Sequence, residues 1–221
     1  MTDAAGAAVL EVRGLEKAFA AASGARKVLR GVDLTVARGE IVAVAGRSGS
    51  GKTTLLTIVA RLEASDAGTV ELQGAGEGAA PSWTDVALLP QSLGLLDELT
   101  VAENLGLPAR LGAVHRAGDA AEVMDQLGID HLADRFPDEV SLGEQQRVAL
   151  ARAAIVHPTL LLADEPISHQ NQAWAEGMMT FLEVLAASGT ACVLATHNEI
   201  AFESAGRVLE LRDGRLEHRA P

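Results

Sequence analysis

EIVAVAGRSGSGKT, Glu40 to Thr53, passes from an apolar run into a glycine-rich loop. Ile41 to Ala45 carries no polar side chain, as expected of a strand covered on both faces. The loop fits G-x-x-x-x-G-K-[ST], and its context is right: a strand before it and a helix, Lys52 to Arg61, after it. Glycines let successive backbone N–H groups curl around phosphate oxygens. The helix N-terminus adds the positive end of its dipole. In such a loop Lys52 reaches the β and γ phosphates of a nucleotide, and the Thr53 hydroxyl binds Mg2+. Gly46, Arg47, Ser48, Gly49, Ser50, Gly51, Lys52, Thr53 and Thr54 are therefore the candidate nucleotide-binding residues.

A second apolar run, LLLADEP from Leu160 to Pro166, ends in two acids. In a parallel sheet it delivers Asp164 and Glu165 beside the phosphate loop. Asp164 can hold Mg2+ through water, and Glu165 can polarise the water that attacks the γ phosphate. Alone, the acids would pass for a strand cap and a turn; together with the loop they predict nucleotide hydrolysis.

Working outward, LEVRGL and VDLTV alternate as half-buried strands do, and GTVELQG and DVALLPQ read as further strands. Gln91 to about His157 has mostly helical character. A helix from Gln172 to Ala187 leads to the strand ACVLAT, and Asp213-Gly214 joins two alternating runs as a hairpin. Strands alternating with helices predict an α/β core with a mostly parallel sheet.

The chain has 221 residues, 48% of them hydrophobic, enough for a sizeable core. Its formal net charge of -12 disfavours a broad nucleic-acid surface, which needs a basic face. The single cysteine, Cys192, lies in an apolar run, forbids an internal disulfide and suits a reducing cytoplasm. The start, MTDAAGAAVLEV, lacks the basic region of a secretory leader, and no apolar run approaches the roughly 20 residues of a membrane span.

GRSGSGKT, SLGEQQR and LADEP, in that order, resemble the ATP-binding cassette (ABC) ATPases, and the resemblance covers nearly the whole chain. It implies a P-loop NTPase core at 7–91 and 156–221, which includes an antiparallel β subdomain. The helical subdomain is then an insertion at 92–155. It also implies that two ATPases meet head to tail. Ser141 and Gly143 of the signature SLGEQQR would then serve the ATP held by the partner, through a hydroxyl, a backbone N–H and a helix dipole. Gln91 matches the glutamine that senses Mg2+ and the attacking water. His197 matches the switch histidine that contacts the γ phosphate. Phe19 lies where an aromatic usually stacks on adenine, although an apolar residue ending a strand would look the same. Trp83 and Trp174 match no such site and read as packing or surface residues.

The sequence departs from the pattern at several points. Leu142 stands where the signature usually has glycine. Ile167 replaces a hydroxyl after LADEP, and Gln170-Asn171 replace a Leu-Asp pair. Those segments belong to the expected dimer interface, so the rate of hydrolysis is affected before nucleotide binding is.

ENLGLPARL, Glu103 to Leu111, is similar to a run in the lipoprotein-release and macrolide-export type ATPases, which work with four-helix permeases. The resemblance implies a permease on a separate chain, a homodimer of the ATPase, and a cytoplasmic location on the inner face of the membrane. Leu93, Leu95 and Leu96 are candidates either for an exposed apolar cleft that receives that permease or for the core. A regulatory cassette that signals through a membrane partner without transport is the alternative. Only 50 positions separate Gln91 from Ser141, which leaves no room for the long coiled coil of the DNA-repair cassettes. No nucleic-acid partner is expected.

Overall fold

The computed structural model describes residues 8–21, 24–74, 81–111 and 119–219. Residues 1–7, which include the expected first residue of the core and most of the stretch read as lacking a leader, lie outside the described residues, as do 220 and 221.

Two sheets organise the described residues. The strands β1 (Ala8–Ala21), β2 (Gly24–Ala37) and β4 (Ala67–Leu72) form an antiparallel sheet in the order β2-β1-β4. The second sheet contains β3 (Ile41–Ala45), β5 (Val86–Leu89), β6 (Leu160–Asp164), β7 (Ala191–Ala195), β8 (Arg207–Arg212) and β9 (Arg215–His218). Its order is β5-β6-β7-β3-β8-β9, parallel up to β8, with β9 antiparallel at the edge. Asp213 and Gly214, with φ of 50° and 81°, turn that last hairpin as a two-residue turn requires.

β3, β6 and β7 are buried at every position. The strand period of two divides their side chains between two cores. Ile41, Leu161, Cys192 and Leu194 face a core shared with α5 (Gln172–Ala187) and three helices between β5 and β6. Those helices are α2 (Val101–Arg110), α3 (Ala120–Gln126) and α4 (Leu142–Ala154). Val42, Val44, Leu162 and Val193 face the core shared with α1 (Lys52–Val59) and the antiparallel sheet. Cys192 sits fully inside the first core, and burial pushes its thiol up to about 12.

Three local expectations change. LEVRGL and VDLTV are parts of strands of 14 residues each, extended past several register shifts. α1 ends at Val59, before Arg61, because Arg61 takes a left-handed φ of 57° and its N–H turns back to Ile58 O at 2.9 Å. A short α6 (Glu199–Ser204), capped by Asn198, follows β7 where none was expected.

Candidate functional site

The register of the parallel sheet brings the motifs together. Asp164 of β6 pairs with Ala195 of β7, and Ala195 pairs with Val44 of β3. The carboxyl ends of three adjacent strands thus lead into Gly46, Glu165 and Thr196, at the edge where ligands bind in such sheets.

The loop after β3 is shaped by glycine. Gly51 has a φ of 111°, and a Cβ there would stand 2.7 Å from Val28 Cγ1, so no other residue fits without displacing β2. α1 begins at the next residue with no side-chain cap and no acid in its first turn. Its free N–H groups suit an anion. Ser50 Oγ is buried without a hydrogen-bond partner among the described residues, an unmet polar group in the same loop. Lys52, 8% exposed, donates to Gly46 O at 2.7 Å and stands 4.0 Å from Glu165 Oε1.

Thr53 Oγ1 donates to Asp164 Oδ2 at 2.5 Å. Burial raises the Asp164 carboxyl above its ordinary value, and the neighbouring Glu165 adds to that; Thr53 and Lys52 oppose it. Among the described residues no cluster of His, Cys, Asp and Glu could hold a metal by itself. A hydroxyl and one carboxylate suit instead a cation that takes its remaining ligands from phosphate and water, as Mg2+ does.

Glu165 takes a φ of 52°, a conformation rare for a side chain of its size. The surrounding bonds hold it there. Its N–H donates to Ala195 O at 2.8 Å, and its carbonyl accepts from Gln146 Nε2 at 2.8 Å and Ser168 Oγ at 3.1 Å. Its carboxylate accepts from Thr196 Oγ1 at 3.1 Å, with His197 Nδ1 at 2.9 Å from the other oxygen. A carboxylate only accepts, so against it His197 Nδ1 is the donor. The His197 side chain is 74% exposed, while that of Glu165 is 13% exposed. Glu165 is thus a carboxylate held in place, and His197 is its solvent-facing neighbour.

Lys52, Thr53, Asp164, Glu165 and His197 line one open cleft of about 630 Å3, with Gln91 and the rest of Gly46–Thr54 in its walls. Phe19, 41% exposed, stands at its rim, with Lys17 Nζ 5.1 Å from the ring centre. Arg26, paired with Phe19 across the β1–β2 ladder, lines it too, as do Ser168 and His169. Sequence reasoning missed Thr196, Gln146, Arg26 and His169. Thr196 had a signal: it is the polar residue that ends a buried strand immediately before His197.

Ser141 and Gly143 do not line the cleft of their own chain. Ser141 caps α4 in a reciprocal box with Glu144: its N–H donates to Glu144 Oε2 at 2.8 Å, and Glu144 N–H donates to Ser141 Oγ at 3.4 Å. Leu142 is 49% exposed beside them. Ile167 is 1% exposed in the core, and Asn171 caps α5 by accepting from Trp174 N–H at 3.0 Å. The Trp174 ring lies 4.0 Å from the Arg147 guanidinium, and a Cβ at Gly128 would run into it.

The segment after Gln91 resolves one alternative. Leu93 is 5% exposed and Leu95 half-buried, so of the three leucines proposed for an exposed cleft only Leu96, at 42%, qualifies. The reason is a buried clamp. Arg152 of α4 donates to Leu93 O at 2.9 Å and Gly94 O at 2.7 Å, drawing that turn onto the helix. Asn104 of α2 closes the rest, accepting from Leu96 N–H at 2.9 Å and donating to the carbonyls of Leu96, Leu99 and Thr100.

The profile of the ABC transporter family matches residues 29–168. The lipoprotein-releasing system ATP-binding protein LolD of Geobacter metallireducens is 37% identical over 219 residues, 94% of this chain and 97% of the relative. LolD 2 of Caulobacter vibrioides is 38% identical over 220 residues, 95% and 96% of the two chains. A bacterial ABC transporter cassette solved as a dimer superposes with a TM-score of 0.86 at 26% identity, over 95% of this chain and 97% of the other. The same cassette in a post-hydrolysis dimeric state bound to ADP and Pi matches equally well. The chain therefore belongs to the ABC transporter family, as an ATP-binding and ATP-hydrolysing subunit.

Proposed function

We propose that this chain is the ATPase of a lipoprotein- or peptide-type export system, pairing head to tail with a second copy to drive a permease on a separate chain. The names of its relatives and the similarity of ENLGLPARL support the cargo class. The observation that carries the head-to-tail reading is the position of Ser141 and Gly143: they lie at the start of α4, outside the cleft that holds Lys52 and Glu165. No helix among the described residues is long and apolar enough to cross a membrane; in this reading the permease is a separate chain, and the ATPase attaches peripherally at the inner face. The core of this ATPase is 7–91 with 156–221, and 92–155 is the inserted helical subdomain.

Gly46–Thr54 and the N-terminus of α1 wrap the triphosphate, Lys52 neutralises its β and γ phosphates, and Phe19 stacks on the base. Thr53 and Asp164, with Gln91, would hold Mg2+, which when bound offsets charge on the phosphate oxygens. Glu165, oriented by Thr196 and His197, takes a proton from the attacking water as the γ phosphate leaves ADP. Ser141 and the Gly143 N–H of the partner meet that phosphate and complete the site.

Ser141→Arg tests the reading. The isolated variant should bind ATP as the wild type does and fail to form the ATP-bound dimer. Mixed with Lys52→Ala chains, it should give dimers with at most one complete site. Loss of ATP binding by isolated Ser141→Arg would show that Ser141 serves its own nucleotide.

A further inference from the structure

Gln170 stands in the segment where the sequence departs furthest from its family, and its side chain is fully engaged. Nε2 donates to Gly143 O at 2.8 Å and to Gln146 Oε1 at 3.0 Å, and Oε1 accepts from Arg147 Nη1 at 3.0 Å. Gln146, 1% exposed, donates in turn to Glu165 O at 2.8 Å and accepts from His169 N–H at 3.2 Å. Two side-chain amides thus form a continuous hydrogen-bonded chain from the Gly143 carbonyl to the Glu165 carbonyl. One end is the helix start assigned to the partner's ATP. The other is the strained peptide that presents the water-polarising carboxylate to the chain's own ATP. A leucine at 170 could make none of these bonds.

We propose that Gln170 is a positioning residue for hydrolysis: its amide fixes the signature segment at Gly143 relative to Glu165, so that each of the two composite sites is assembled in register with the other. The proposal rests on the head-to-tail reading. The carbonyls at both ends of the relay accept, and Gln170 enters it through its NH2 group, which donates in both directions while its oxygen is held by Arg147. The relay is short, with Gln146 and Gln170 in direct contact, so a shift at Gly143 reaches Glu165 through two side chains.

The test compares Gln170→Leu, which keeps the volume and loses every bond, with Gln170→Asn, which keeps the amide and shortens its reach. ATP affinity of the isolated monomer should stay within twofold for both, which also reports that the fold is intact. Turnover at saturating ATP should fall about tenfold in each, the effect of the two neutral hydrogen bonds that Gln170 gives the relay. In a Glu165→Gln background, where ATP holds the dimer closed, the dimer dissociation constant should rise by a similar factor. Wild-type turnover and dimerisation in Gln170→Leu would overturn the proposal. So would a loss of monomer ATP affinity matching the loss of turnover, since the residue would then be a general support of the fold. If Gln170→Leu does not fold, Gln170→Asn decides by the same readings. Ser141→Arg in parallel separates the two failures: if it still dimerises with ATP, the head-to-tail reading falls; if it does not while Gln170→Leu behaves as wild type, only the relay falls.

Discussion

Thr196→Val removes one hydroxyl from the hydrolytic centre and keeps the shape of the side chain. Thr196 is fully buried, and its Oγ1 donates to Glu165 Oε2 at 3.1 Å while accepting from Asn198 N–H at 3.1 Å. A hydrogen bond to a charged group contributes roughly 1.5–3 kcal/mol, and each 1.4 kcal/mol changes a rate about tenfold. Glu165 keeps His197 at 2.9 Å, which restrains the same carboxylate. The lower end of that range applies, and kcat should fall about tenfold. ATP affinity should change less than twofold, because Thr196 does not line the nucleotide cleft. Thr196→Ser keeps the donor and should retain near wild-type turnover. The assay is phosphate release at saturating ATP, with affinity measured separately by a fluorescent nucleotide. Unchanged kcat in Thr196→Val would refute the claim that the orientation of Glu165 limits hydrolysis.

Asp164→Asn should abolish hydrolysis and stabilise the nucleotide-free protein at neutral pH. Burial raises the Asp164 carboxyl, so its favourable contribution is full below its unfolded value and is lost as pH rises through the folded one. The gain in melting temperature of the variant should be present at pH 8 and shrink toward pH 4; a gain independent of pH would contradict this. Leu142→Gly should raise the basal turnover of the isolated subunit by about tenfold, since it removes an exposed apolar side chain beside Ser141 and Gly143, the residues proposed to meet the partner's phosphate. Equal turnover in steady-state assays would mean that Leu142 is accommodated without cost.

The parallel core was legible because burial on both faces leaves a mark: Ile41–Ala45, Leu160–Asp164 and Ala191–Ala195 are apolar almost throughout, and glycine, acid or threonine follows where the strand emerges. The phosphate loop was legible because glycine, lysine and threonine at fixed spacing have few other uses. The antiparallel sheet was read too short, since its strands cross register shifts that blur a period of two. Leu93 could not be assigned to core or cleft for another reason. An apolar residue after Gln91 carries no sign of the distant Arg152 that draws it inward, and that pairing spans 59 positions. The amide relay was invisible for the same cause. Gln146 and Gln170 look like surface residues until the fold brings two helix starts and a strand end into contact.

The central claim is that one chain's phosphate loop and another chain's signature make a single site, with Glu165 as its base. Sedimentation of Glu165→Gln with ATP and Mg2+, with bound nucleotide counted, tests it most directly. A stable dimer holding two intact ATP molecules, which returns to monomer when ATP is withdrawn, is the expected result. A variant that binds ATP yet stays monomeric, or that still hydrolyses it at the wild-type rate, would contradict it.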